Sequence, residues 1–280
     1  MKTIASTSLS SCFLTGDPTS SVRHTSRITP VLVLALTLGL TGCGWENFAK
    51  TEKVFPQFMA APGNAQELVG YVKQASDQHK TIRMTGSGHA HSDVAVSEEF
   101  LLTPKRLSAP LVLDRSRLKT PDNPLMVRVQ SGMRIRELNQ YLDGLDLALE
   151  NLGGFDGQTI AGVAMTATHG SGLGYGPIAS QILSLQMVGE GGVMLQIEPS
   201  NGITNPETFP GTLEEAPDIP VRLIQDDDIF NAATVSVGSM GIVYSVTLRT
   251  DHKFWLREVR TFAKWNDIKA PGGFLDRVVH

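Results

Sequence analysis

Two glycine-rich runs constrain this chain more than any other feature: Gly86-Ser87-Gly88-His89, and His169-Gly170-Ser171-Gly172-Leu173-Gly174-Tyr175-Gly176. Glycine permits positive φ and lets consecutive backbone N–H groups converge on an anion. The first run follows Thr81-Ile82-Arg83-Met84-Thr85, which alternates as a strand. The second follows Ile160 to Thr168, where small residues stand at nearly every place that a plain core strand gives to β-branched bulk. Glycine is 27 of 280 residues, above the roughly 7% usual in proteins. Two such runs can clamp a large flat ligand from both sides. A Gly-x-Gly-x-x-Gly dinucleotide fingerprint is not met, because His91 stands at the third glycine position and would prop a following helix off its strand.

The chain is long enough for one large domain or two small ones. Its formal charge of −4 lacks the basic excess that nucleic acid requires, so that partner is excluded. With Cys12 and Cys43 alone there is no disulfide framework and no Cys-rich zinc module.

Residues 1–42 read as an address. A Ser/Thr-rich flank with Lys2, Arg23 and Arg27 precedes the apolar run Val31 to Leu40. That run is too short for a bilayer span of roughly 20 residues and fits a signal-peptide core. It ends in Leu40-Thr41-Gly42-Cys43, which resembles the bacterial lipobox. The resemblance implies cleavage before Cys43, lipidation of its thiol, and a membrane-anchored lipoprotein on the periplasmic or outer-membrane side of the cell envelope.

Beyond it, residues 43–54 read as a tether. Ala65 to Lys80 has helical apolar spacing behind Asn64, a good N-cap. Leu111 to Leu113 and Leu125 to Val129 read as strands, and Arg134 to Leu142 as a helix. Ile182 to Val188 and Val193 to Ile197 pair around Gly191-Gly192, a hairpin signal. Residues 198–222 hold five of the fifteen prolines among acidic residues and read as an exposed insertion. Asp226-Asp227-Asp228 reads as the capped start of a short helix. Gly241 to Arg249 is a strand with Ile242, Tyr244, Val246 and Leu248 alternating onto one face. Hairpins mixed with helices make the class α+β rather than a doubly wound parallel sheet.

Histidines bring competing chemistries. His89-Ala90-His91-Ser92-Asp93 is similar to the metallo-β-lactamase zinc motif, with His169 as a further ligand, but Val94 stands where that motif continues with histidine. A zinc hydrolase using His89, His91 and Asp93 is the weaker alternative, and metal is not expected.

Several segments occur together in one order: Gly86 to Ala95; Val129-Gln130-Ser131-Gly132 to Leu138; Leu147 to Gly153; Gln158 to Gly162 continuing through Thr168-His169-Gly170-Ser171-Gly172; and Val237 to Tyr244. Across Phe55 to Arg249 they resemble the FAD-binding domain of the vanillyl-alcohol-oxidase-like, PCMH-type flavoproteins. The nearest group is that of alditol, gulonolactone and arabinonolactone oxidases. The resemblance implies a PCMH-type FAD-binding domain over residues 55–252, built of two α+β subdomains that clamp the cofactor. It implies covalent attachment of FAD to His89 through the flavin 8α-methyl. It further implies a pyrophosphate cradle of Gly86, Ser87, Gly88, Ala90 and Ser92, with Ala90 replacing the family's serine. Ala161, Gly162, Thr168, Gly170, Ser171, Gly172 and Gly174 would pack on the other side of FAD, with His169 fixing that loop, and Gly241 and Ile242 would touch the adenine or ribose end. His91 would point into a subdomain interface.

The implied reaction is oxidation of a CH–OH group in a polyol, sugar lactone or related alcohol by hydride transfer to flavin N5. O₂ or another acceptor would then reoxidise the flavin. Substrate selection in the family lies in a C-terminal cap domain. Residues 253–280 read as a stub of that domain, with Phe254, Trp255, Leu256, Val259 and Phe262 as its first strand. The cap is therefore expected to be missing or truncated, and no catalytic residue is assigned. The alternative from another class is a lipid-anchored flavin-binding module without turnover of its own.

Overall fold

A computed structural model describes residues 44–279, the last by its backbone alone. The expected signal peptide, the lipidation site Cys43 and His280 lie outside the described residues. Among the described residues no helix is long and apolar enough to cross a membrane.

The segment read as a tether is folded. Strands β1 (Trp45–Glu46) and β2 (Lys53–Val54) pair antiparallel, with Trp45 opposite Val54. Asn47, only 3% exposed, closes the turn. Its Oδ1 accepts from the backbone N–H of Thr51 (2.9 Å) and Glu52 (3.2 Å), and its Nδ2 donates to Thr51 Oγ1 (2.8 Å).

A small unit follows. Strands β3 (Phe58–Ala60), β4 (Ile82–Met84) and β5 (Phe100–Leu102) form a parallel sheet in the order β3-β5-β4, with Phe100 opposite both Phe58 and Ile82. Helix α1 (Ala65–Asp77) makes the crossover from β3 to β4. It starts where the sequence says it should: Asn64 Oδ1 accepts from Glu67 N at 2.8 Å, and Glu67 Oε2 accepts from Gly63 N at 2.8 Å, so two otherwise orphaned donors are satisfied. Ala65, Leu68, Val72 and Ala75 form its buried stripe. Each fully buried aliphatic side chain stabilises by about 1.5–3 kcal/mol.

The larger unit is a six-stranded sheet built from β6 (Pro110–Leu111), β7 (Met126–Gln130), β9 (Ile182–Val188), β10 (Met194–Glu198), β11 (Val221–Gln225) and β12 (Ile242–Arg249). Their order is β11-β10-β9-β12-β7-β6, antiparallel except for the β10–β11 pair. The expected β9–β10 hairpin is present, and Gly191 (φ 71°) and Gly192 (φ 81°) supply the left-handed turn that favours glycine. On one face lie helices α2 (Ile135–Asp143), α3 (Ile160–Met165) and α4 (Asp227–Thr234), whose Ile135, Leu138, Ile160, Val163 and Ala233 share a core with Val129, Leu185 and Met187. Asp226 caps α4 as expected, accepting from Ile229 N at 2.9 Å. The opposite face packs on the small unit, with Val188, Met194 and Tyr244 against Leu68, Val72 and Leu102. Strand β8 (Leu147–Ala148) pairs antiparallel with β13 (Asp251–His252) as a separate two-stranded sheet.

Strand β12 departs from simple alternation. Val243 pairs with Met187 and Ser245 with Gln186, so Tyr244 is an extra residue in a β-bulge. Ile242 and Tyr244 enter the core shared with the small unit, whereas Val246 and Leu248 join Val243 in the helix-covered core. The expected common face for all four is corrected by that one residue.

Two further expectations are corrected. Residues 198–222 are not an exposed insertion, because Glu198, Thr204, Leu213, Ala216, Ile219 and Val221 are buried. Leu213, Ala216 and Ile219 complete the core beneath Tyr244. Glu214 and Glu215 meet the guanidinium of Arg128, whose side chain is 2% exposed, at 2.5 and 2.8 Å. Below them runs a chain of buried hydrogen bonds: Gln186 to Gln196 (3.0 Å), then Gln196 to Glu198 (3.0 Å) and Thr204 (2.7 Å). In the C-terminal segment the apolar residues from Phe254 to Phe262 form no strand and are exposed. Short helices α5 (Trp265–Lys269) and α6 (Phe274–Val279) follow.

Candidate functional site

The two units meet at a cleft, and the first glycine run forms one wall. It leaves β4 after Thr85, whose N–H is held by Leu102 O at 2.9 Å. Gly86, Ser87, Gly88, His89 and Ala90 all line the cleft. None of these five consecutive backbone N–H groups has an acceptor among the described residues, which is the arrangement an anion nest requires.

The facing wall comes from the start of α3. Thr159 caps that helix, accepting from Gly162 N at 3.3 Å. Ala161 and Gly162 line the cleft with it. A Cβ on Gly86 would lie 2.7 Å from Thr159 Oγ1 and 3.6 Å from Gly162 Cα, so the two walls meet where the Thr159 hydroxyl and the bare Gly162 backbone leave no room for a side chain on Gly86. Gly241 and Ile242 close the far end. Gly241 sits at φ 146° with Val188 O only 2.8 Å from where its Cβ would be.

Of the sequence-derived site residues, Gly86, Ser87, Gly88, His89, Ala90, Ala161, Gly162, Gly241 and Ile242 are thus brought together. Ser92 stands just outside, exposed. The second glycine run lies apart from these: Thr168, His169, Gly170, Ser171, Gly172 and Gly174 are not among the residues lining the cleft. That loop instead packs on its own neighbours. A Cβ on Gly170 would strike Asn151 Oδ1 and one on Gly172 the Tyr175 ring, while His169 is exposed with Nδ1 2.8 Å from Gly170 O. His91 is also exposed rather than interfacial. The sequence reading assigned no contact to several lining residues, among them Arg83, Ser131, Gln158, Thr166, Val237 and Gly238. Ser131 follows β7 directly within a quoted segment, which was the available signal.

The zinc alternative is overturned. Among the described residues no three His, Cys, Asp or Glu side chains come together as a metal-holding group. His89 instead stacks with Phe48 (ring centroids 4.5 Å, 20° between planes) and lies against Phe155 (4.9 Å, 45°).

Burial lowers the His89 pKa below the ordinary imidazole value, with the charges of His91 and Arg134 acting in the same direction. The Ser87 backbone lies near enough to oppose this slightly without meeting hydrogen-bond geometry. His89 is therefore a neutral imidazole at neutral pH. Both of its ring nitrogens are buried without a partner, as are Ser87 Oγ and Ser131 Oγ on the same cleft. An unsatisfied buried polar group costs about 1–3 kcal/mol, so this cluster marks a place where a polar ligand belongs.

Known proteins agree. The FAD binding domain family matches residues 56–198, half of the chain, and the chain belongs to that family. It is 29% identical to D-arabinono-1,4-lactone oxidase of Debaryomyces hansenii over 80% of this chain and 37% of that protein. It is 27% identical to L-gulonolactone oxidase of Mus musculus, over 79% and 43% respectively. The chain thus spans well under half the length of these relatives. Among solved structures, the cholesterol oxidase of B. sterolicum superposes with a TM-score of 0.61 at 17% identity, covering 81% of this chain and 40% of that one. The fold is the PCMH-type flavoprotein fold, and FAD is the cofactor.

The residues present fit FAD. Five free amides along Gly86–Ala90 suit a pyrophosphate lying against that run, and the unpartnered Ser87, His89 and Ser131 atoms suit a ligand rich in donors and acceptors.

Proposed function

We propose that this chain is the FAD-binding part of an oxidoreductase that oxidises a CH–OH group of a sugar lactone, polyol or related alcohol. The cleft of unpartnered amides and buried orphan side chains carries the reading, supported by the lactone oxidases to which the chain is similar. Bound FAD supplies hydride acceptance at N5, with O₂ or another acceptor reoxidising it. The Gly86–Ala90 amides hold the negatively charged pyrophosphate, while Ala161 and Gly162 let the opposite wall approach without a steric barrier. His89 would hold the flavin through a ring nitrogen bonded to the 8α carbon, the imidazole N–H and one 8α C–H bond breaking as two protons and two electrons pass to O₂ or the other acceptor. Its neutral imidazole is the nucleophilic form.

Among the described residues Arg83 and His89 are the only titratable side chains lining the cleft. Arginine is a cation and His89 is the proposed point of flavin attachment, so among the described residues no other side chain lining the cleft can act as base for a substrate hydroxyl. That observation favours a second reading, in which these residues bind flavin but do not turn substrate over by themselves.

Denaturing electrophoresis of the purified chain tests attachment: a band that keeps flavin fluorescence, lost in His89→Ala, is expected. Colourless protein after reconstitution with FAD would remove the flavin reading altogether. Peroxide release with D-arabinono-1,4-lactone or L-gulonolactone separates the two readings, since only the first predicts turnover. We also propose Cys43 as the lipid anchor in the envelope, which intact mass after detergent extraction would show as a diacylglycerol adduct.

A further inference from the structure

The hairpin before the FAD-binding residues grips the first glycine run on both sides of His89. Phe48 N–H donates to Gly88 O at 2.8 Å, and Asn47 Nδ2 donates to Ala90 O at 2.9 Å. Gly88 has φ 76°, and a Cβ there would lie 3.2 Å from Phe48 N and 3.3 Å from Asn47 Cα, so the loop and the hairpin are keyed by a missing side chain. Across this junction Phe48 stacks on His89, with Phe155 on the imidazole as well. Phe48 is 67% exposed and Phe155 47%, and neither belongs to a core cluster. Core packing therefore does not explain two phenylalanines set against one histidine.

We propose that the Trp45–Val54 hairpin is a positioning element of the cofactor site, in which Phe48, opposite Phe155, holds the His89 ring in one orientation and keeps water from its nitrogens. These two hydrogen bonds, one from the Phe48 backbone and one from the Asn47 side chain, fix the residues on either side of His89 and leave mainly its side-chain torsions free. Phe48 takes up that freedom by stacking. Dry surroundings disfavour the imidazolium and leave the nucleophilic neutral form. The charged groups on the elements that pack here are His91 on the same loop, Arg134 before α2, Arg136 and Asp156 beside Phe155, and Glu46, Lys50, Glu52 and Lys53 on the hairpin. None of these forms an ion pair with His89.

The test uses Phe48→Ala and Phe48→Leu in the whole chain, with Phe48→Trp as the conservative control. Histidine ring resonances are followed against pH, and His89 is assigned by its loss in His89→Ala. The expected result is an upward shift of the His89 midpoint in Phe48→Ala, a smaller one in Phe48→Leu, and none in Phe48→Trp. The second readout rests on the proposed attachment: covalently held flavin falls severalfold in Phe48→Ala at neutral pH and recovers as pH is raised. An unchanged midpoint, or a loss of attached flavin that is the same at every pH, would overturn the clamp. If the unaltered chain holds no covalent flavin, attachment at His89 fails while the titration still decides the hairpin's role. Should Phe48→Ala not fold, Phe48→Leu decides by the same two measurements.

Discussion

Replacing Arg128 by Met is the most direct way to ask how the proline-rich segment is held. The guanidinium, 2% exposed, lies against Glu214, 12% exposed, and Glu215, 29% exposed, and also donates to Gln186, to Val112 O at 3.2 Å and to Ser245 Oγ at 3.3 Å. Methionine fills much of the stem volume but takes the guanidinium away from two carboxylates, while Gln186 keeps the hydroxyl of Ser245. Removing one partner of a buried ion pair costs about 3–5 kcal/mol. Partial exposure of Glu215 places the loss near the lower figure, and about 3 kcal/mol lowers the melting temperature by roughly 6–12 °C in a domain of this size. The pH dependence carries the sharper information. Burial already raises Glu214 against the pull of Arg128. Burial also works to raise Glu215, but the hydrogen bond and charge of Arg128 outweigh it and leave that group lowered. Without Arg128 both rise above the ordinary carboxylate range. A carboxyl raised in the folded state contributes stability below its unfolded value and loses it as pH rises through the folded value. The deficit of Arg128→Met is therefore full at pH 7 and shrinks on acidification. Equilibrium urea denaturation of both proteins across this range measures it. A deficit below about 1 kcal/mol at pH 7, the scale of an exposed pair, or one that grows as pH falls, would refute the reasoning.

Two other expectations follow from the cleft and its supports. Gly86→Val places a branched side chain where a Cβ alone would meet Thr159 Oγ1 at 2.7 Å; flavin retained through gel filtration should be lost while far-ultraviolet circular dichroism persists, and normal retention would contradict the close approach. Glu99 accepts from Lys80 Nζ at 2.7 Å, Thr81 N at 2.6 Å and Thr81 Oγ1 at 2.8 Å, which holds its carboxyl at about 2. Its contribution is present above the ordinary carboxylate range and is lost as pH falls toward about 2, so Glu99→Gln should flatten the acid limb of a denaturation profile; an unchanged limb would discount the group.

Much of this was legible because its cause is local. Asn64 caps α1 through its own side chain, the Gly191-Gly192 turn supplies its own φ, and the Gly86–Ala90 loop advertises itself by composition. The remainder depends on partners far along the chain. Strands β1 and β2 are two residues each, too short for alternation to show, and they exist because Asn47 closes their turn and the loop at Gly88 receives them. Residues 198–222 look solvated because prolines and acids dominate them, yet Glu214 and Glu215 answer an arginine on β7. The second glycine run was harder to place for the opposite reason. Its small residues serve contacts with Asn151 and Tyr175, and composition alone does not say which neighbour requires them.

The extra residue at Tyr244 has a reach beyond its own strand. It acts as a phase shift: upstream of it β12 faces the small unit with Ile242, and downstream the same parity of residue faces the helices with Val246 and Leu248. Ser245 and Thr247 are thereby turned toward the polar layer, where Ser245 Oγ donates to Gln186 at 2.8 Å. Chain length at this point is thus a form of encoding. Deleting one residue would exchange an apolar set for a hydroxyl set along half a strand, whereas most single substitutions there would disturb one contact. An insertion or deletion in an exposed turn is a matter of surface; at Tyr244, inside β12, it is a change of reading frame for the fold.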